Sequence, residues 1–226
     1  MALPAHRIPQ TDPGEERALR TSDRALLLER VAAGIAHEGK NPLHNMVLHV
    51  QLLAEKLASG ERQGKSVERH IQSVRDGIGK VDAILRAFGE FAVPQHLPAD
   101  LGATLARVVL LFQYDARRAG VQVTTIGPSA LVVSAPSEAL SDIVAHAYVA
   151  AIDLARDGGT LDARLESNGP RATLALVVGG GVARSEGAEP HLAAARRLAR
   201  EAAAELSFDT EAAGGARLYL SFVHPR

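Results

Sequence analysis

Seven apolar residues, Val67, Ile71, Val74, Ile78, Val81, Leu85 and Phe88, are separated by 4, 3, 4, 3, 4 and 3 positions. Three uninterrupted heptads of this kind run an apolar seam down one side of a helix, the pattern of coiled-coil packing. A preceding run, Leu28, Ala32, Ile35, Gly39, Pro42, Met46, Val50, Leu53 and Leu57, keeps the same steps with one extra four. It predicts a long helix from a cap at Ser22-Asp23 to Ala58-Ser59-Gly60, with one proline inside. The polar turn SGERQGKS joins the two helices into an antiparallel hairpin. One hairpin with a narrow seam cannot cover itself, so the expected solution is a four-helix bundle formed by a homodimer. Packing of the hairpin on the rest of its own chain is the alternative.

The remaining sequence divides around this hairpin. Residues 1–21 hold Pro4, Pro9 and Pro13 among polar groups and read as a disordered tail, with the hairpin at 22–92. Pro94 and Pro98 interrupt the helical period, so 93–99 read as a linker and 100–226 as a second unit. There, a helix is predicted over Leu101 to Ala116, short strands at VQVTTI and ALVVSA, and a helix from Ser137 to Arg156. A hairpin around Asn168-Gly169, an Ala/Arg-rich helix over His191 to Glu205 and two strands around Gly214-Gly215 follow. The fold class is α+β: a dimerising helical hairpin followed by an α/β sandwich.

Composition narrows the function classes. Hydrophobic residues at 46% exclude wholesale disorder, and aromatics at 4% make the core aliphatic. A net charge of −1 gives no general field for nucleic acid or an anionic membrane, so neither is an expected partner. With no cysteine there is no thiolate nucleophile or thiolate metal site, and catalysis must run on histidines and carboxylates. The N-terminus lacks an apolar leader core and no apolar run reaches 18 residues, so a cytoplasmic protein is expected.

The proline-bearing turn of the first helix reads Ala36-His37-Glu38-Gly39-Lys40-Asn41-Pro42-Leu43. Ile35 and Gly39 lie on the seam, which turns His37 away from it and onto the outer face. An exposed neutral imidazole is a nucleophile, Glu38 beside it can hold a proton or orient the ring, and Asn41 shares its face one turn on. Pro42 removes one intrahelical hydrogen bond just beyond the histidine.

This octapeptide resembles the phosphoacceptor box of sensor histidine kinases, H-E-hydrophobic-R/K-N/T-P-L, at His37, Glu38, Lys40, Asn41, Pro42 and Leu43. It departs at Gly39, where a bulky aliphatic is usual and where glycine predicts looser packing on the seam. The resemblance extends over about 200 residues, since the second unit is similar to the ATP-binding domain that follows the box. What it implies for nucleotide chemistry is loss. Two asparagines four apart, the second helping to hold Mg²⁺, are represented here by His146 and Ala150. The aspartate that accepts from the adenine amino group is represented by Val177, and the later glycine-rich phosphate segment by Ala188-Glu189-Pro190-His191-Leu192, with Glu189 repelling phosphate. Glycines 179 to 181 read as a strand-ending turn, His146 as a structural histidine without a metal partner at helical spacing, and His44, His49 and His70 as helix-surface residues.

The resemblance therefore implies a histidine phosphotransfer protein of a two-component phosphorelay, with His37, Glu38 and Asn41 as its catalytic set. Lys40, Leu43 and His44 belong to the expected docking face. No cofactor or metal is expected on this chain, with Mg²⁺ supplied by a response-regulator receiver domain. A histidine kinase or hybrid kinase is the expected upstream partner. Alternatives are an active sensor kinase with a rewritten ATP pocket, and a regulator phosphatase or scaffold.

Overall fold

The computed structural model describes residues 13–60, 64–93, 98–155, 158–180, 186–210 and 215–225. Two long helices come first, α1 (Pro13–Ala58) and α2 (Lys65–Ala92), packed antiparallel along their length. α1 begins nine residues before the expected cap. Pro13 at its first position has no N–H to leave unpaired, and Glu15 and Glu16 in the first turn complement the helix dipole, as Lys56 does in the last. The predicted tail is thus helical from residue 13; residues 1–12 lie outside the described residues. Gly77 lets the two helices close up, because a Cβ there would stand 2.5 Å from Met46 Cγ.

The second unit starts where Asp100 caps α3 (Leu101–Leu111), its carboxylate accepting from the Gly102 and Ala103 N–H groups at 2.9 and 3.1 Å. The same oxygen takes the Leu131 N–H at 2.9 Å, and Val133 N–H reaches Ala99 O at 2.8 Å. ALVVSA is consequently not a strand, contrary to expectation. Its backbone groups bond to the α3 cap region, and Val132 forms an isolated bridge to Asp100. The predicted helix 101–116 also divides, at Phe112, into α3 and a six-residue α4 (Gln113–Arg118).

Beyond it come β1 (Gln122–Ile126), α5 (Ser137–Leu154), β2 (Thr160–Asn168), β3 (Arg171–Gly179), α6 (Ala188–Glu201), β4 (Glu205–Thr210) and β5 (Ala216–Val223). They build one mixed sheet in the order β1-β2-β3-β5-β4, parallel only at β1/β2. Gly169, at φ +60°, makes the β2/β3 turn. β5 alternates buried Ala216, Leu218, Leu220 and Phe222 with outward residues, so the sheet buries one face against the helices. α5 is buried nearly all round, the signature of a central helix. The fold is α+β, as expected.

The hairpin and this layer share one core. Leu27, Val31 and Phe91 pack in the same cluster as Phe112, Tyr148 and Leu174. The buried face of α1's first half is accordingly Leu27, Val31, Gly34 and Glu38, one position ahead of the predicted seam. The seam expected at Leu28, Ala32, Ile35 and Gly39 lies beside that face and is partly open, and a Cβ at Gly39 would meet nothing within 4 Å. Along α2, Val67 is buried and Val74, Val81 and Phe88 are half-buried, while the heptad-spaced Ile71, Ile78 and Leu85 remain exposed.

Polar groups fasten the junction. Arg30 of α1 forks onto Asp153 of α5 at 2.9 and 3.0 Å and donates to Asp115 of α4 at 3.2 Å. Its burial opposes the charge, but Asp153 and Asp115 outweigh this and raise its pKa. Arg24 donates to Asp142 of α5 at 2.6 Å and to Phe91 O of α2 at 2.8 Å. Arg197 of α6 pairs with Asp23, and Arg107 of α3 with Glu90 at 2.8 Å.

His146 of α5 and His191 of α6 extend the cluster, their Nδ1 atoms 2.8 Å apart, with Arg30 3.4 Å from His191 Nε2. An arginine only donates, so His191 accepts at Nε2 and carries its proton on Nδ1; His146 then accepts at Nδ1 and carries Nε2–H. Burial pushes His146 down to about 3, helped by His191, and burial with the Arg30 charge pushes His191 down to about 4, against the pull of Asp153. Below about pH 6.5 the unfolded chain takes up protons on both rings that the folded protein refuses. Stability from this pair is complete above that pH and declines as pH falls toward 4. The urea midpoint should drop between pH 7 and pH 5, and drop less in His191→Asn; an equal drop in both proteins would contradict the assignment.

Candidate functional site

The proline-bearing turn around His37 sits on α1 where it passes α4. Helical geometry turns His37 outward, with its side chain 53% exposed, while Glu38 turns inward and is buried. The Glu38 carboxylate pairs with Arg117 of α4. Its other oxygen stands 3.8 Å from His37 Nδ1, within ion-pair range and too long for a hydrogen bond. Nε2 is the ring nitrogen remote from this carboxylate. The His37 ring lies against Tyr114, centroids 4.3 Å apart and planes tilted by 32°.

Beside this turn, a cleft of about 350 Å³ is lined by Glu38, Asn41, Asn45, Lys80, Gln113 and Arg117, among others. Asn41 is exposed at its rim, and Lys40, Leu43 and His44 are exposed on neighbouring turns. The box residues are therefore presented together, except that Glu38 is committed to a cation on another element. Sequence reading missed Tyr114 and Arg117, since nothing in YDARR marks a helix that returns to residues 37 and 38.

The positions expected to be degenerate lie elsewhere. His146 and Ala150 are completely buried on α5, and α6 packs over this helix through His191. His146 has a partner after all, 45 residues away and invisible to helical spacing. Val177 is half-buried in β3 opposite Asp162 and Arg217, and Glu189 is exposed in the first turn of α6. Gly180, at φ +91°, ends β3 as a turn; Gly181 lies outside the described residues. Ala150 presents only a methyl, which offers no oxygen to a hard cation, and His146 is walled in by α6. Of the other histidines, His44 is exposed, while His49 and His70 are half-buried and face each other with Nδ1 atoms 2.9 Å apart.

No group of three or more histidine, aspartate or glutamate side chains suited to a metal occurs among the described residues. No described helix is long and apolar enough to cross a membrane.

No protein-family model matches the chain. The sensor protein CopS of Pseudomonas syringae pv. tomato is 23% identical over 183 residues, which cover 75% of this chain and 37% of that protein. The chain thus spans little more than a third of its relative's length. Among solved structures, a bacterial phosphotransferase is 15% identical and matches 86% of this chain and 95% of its own, with a TM-score of 0.48. Acinetobacter baumannii histidine kinase AdeS is 11% identical and matches 84% of this chain and 98% of its own, with a TM-score of 0.48. The acceptor box and the relative that spans three-quarters of the chain agree: this is a histidine kinase-like protein.

Proposed function

We propose that this two-component signalling protein is a histidine phosphotransferase that exchanges phosphate between His37 and the aspartate of a receiver domain and binds no ATP of its own. The observation that carries this reading is the contrast between its halves. The His37 ring is open to a partner, and the side chains that would serve a nucleotide are buried under α6 or lack donor atoms. In the forward step the Nε2 lone pair attacks phosphorus in line. The acyl-phosphate O–P bond breaks, its electron pair returns to the aspartate carboxylate, and an N–P bond forms. Nδ1–H stays on the Glu38 side, and Lys40 offsets charge on the phosphoryl oxygens. Mg²⁺ resides with the receiver.

The test is to charge receiver domains with labelled acetyl phosphate and add the protein. Label should move to an acid-labile, alkali-stable linkage on wild type and not on His37→Ala. Label confined to the receiver would refute the transfer. Calorimetry with ATP and Mg²⁺ should show no heat of binding up to millimolar nucleotide; a micromolar Kd would revive the sensor-kinase reading. A phosphatase is the second reading, favoured by Asn41 at the rim of the cleft, where an amide can orient water. It predicts that His37→Gln still accelerates receiver dephosphorylation.

A homodimer is part of this reading. Ile71, Ile78 and Leu85 are 36%, 57% and 57% exposed at heptad spacing, and Leu43, Val47 and Val50 are likewise exposed on α1. A second copy of the hairpin covers such a stripe as a four-helix bundle. Ile78→Glu with Leu85→Glu should convert a dimer to a monomer in sedimentation equilibrium. A monomeric wild type would contradict the bundle.

A further inference from the structure

α4 is only six residues long, yet it contacts the acceptor turn twice. Tyr114 lies against the His37 ring, and Arg117, three residues on, holds the Glu38 carboxylate. The helix is itself pinned in place. Asp115 between them is buried and bound by Arg30, and a Cβ at Gly34 would stand 3.3 Å from Leu111 O, so α1 and the chain leading into α4 run close together. Arg118 stands over the Tyr114 ring, 6.0 Å from its centroid. The phosphoacceptor box alone does not include these groups.

We propose that Tyr114 and Arg117 are positioning residues for the phosphoacceptor: the tyrosine ring sets the plane of the His37 imidazole, and the arginine anchors the Glu38 carboxylate beside it. The inference rests on the reading of His37 as acceptor and gives the nucleotide-free layer a part in phosphoryl transfer. An imidazole on an open helical turn rotates among several rotamers, of which few aim Nε2 at a phosphorus held in a docked protein. Contact with Tyr114 removes rotamers on one side. Arg117 keeps the carboxylate near Nδ1 without letting it swing freely across the ring.

Two donors separate positioning from folding. Phosphoramidate is a small donor whose P–N bond breaks, the electron pair leaving on the protonated nitrogen as ammonia, as the imidazole lone pair forms its N–P bond. It tumbles freely and reaches an exposed ring in any rotamer. A docked receiver domain charged with acetyl phosphate does not. In Tyr114→Ala and Arg117→Gln, kcat for transfer from the receiver should fall about 10- to 100-fold with KM changed less than about threefold. Labelling by phosphoramidate should fall far less. Tyr114→Phe and Arg117→Lys, which keep the ring and the cation, should recover most of the rate. Undiminished receiver transfer in both alanine and glutamine variants, with His37→Ala inactive, overturns the positioning role alone. So does an equal loss with both donors accompanied by a lowered Tm, or failure of the conservative variants to restore kcat. A wild-type protein that takes no label from any charged receiver overturns the acceptor reading and this inference with it.

Discussion

His37→Gln is expected to lower phosphoryl acceptance from a charged receiver by a factor on the order of a thousand or more, down to assay background. Glutamine keeps a polar side chain of similar reach but has no nitrogen lone pair able to attack phosphorus. His44, exposed about two turns away, lacks both the Tyr114 contact and the Glu38 carboxylate, so it should not substitute. The fold should tolerate the change. The ring is half exposed and its one aromatic contact is of the kind that contributes about 0.5–1.5 kcal/mol. Chemical denaturation should therefore place the variant within roughly 1.5 kcal/mol of wild type. A large loss of stability would mean that His37 is held for structure.

Arg30→Met should have the largest effect on stability. Asp115 and Asp153 are buried, and this guanidinium is their common partner, with Arg118 only 3.8 Å from Asp115 at the surface. Methionine fills the space but removes the forked cation from Asp153 and a donor from Asp115, both buried, and removing one partner of a buried ion pair costs about 3–5 kcal/mol. For a chain of this size that lowers Tm by roughly 6–20 °C. Arg30→Lys should fall between, because an ammonium cannot fork onto Asp153 and reach Asp115 together. A loss below about 1 kcal/mol in Arg30→Met would show that the junction is held without Arg30, by its apolar contacts and the other ion pairs. The same variant should reduce transfer from the receiver, since Arg30 fixes Asp115 and through it α4.

Most of the architecture was legible because it rests on local periodicity. The helical period of α2, the Asn168-Gly169 turn and the alternation of β5 are local signals, and each element appears where the sequence places it, although beyond Val67 the buried residues of α2 (Gly77, Ile84, Ala87 and Phe91) lie off the heptad seam. What was not legible depends on contacts between distant segments. The seam of α1 is offset by one residue because its first half packs on the sheet layer, and a helical wheel cannot say which of two faces meets a second domain. ALVVSA has strand composition, but Asp100 captures its backbone. Within the site, the box marks residues 37 to 43, whereas Tyr114 and Arg117 reach it across 77 and 79 residues, and away from the site the His146–His191 pair spans 45. Pro13 and the acidic first turn of α1 were, in contrast, readable signals of an early helix start.

Phosphate is expected to reach His37 from another protein and not from ATP. The pure protein is incubated in parallel with labelled ATP and Mg²⁺ and with receiver domains carrying labelled phosphate, and acid-labile label is quantified on wild type and His37→Ala. Label should appear on wild type from the receiver only, and none on the variant. Label arriving from ATP alone, or label that persists without His37, would contradict this route.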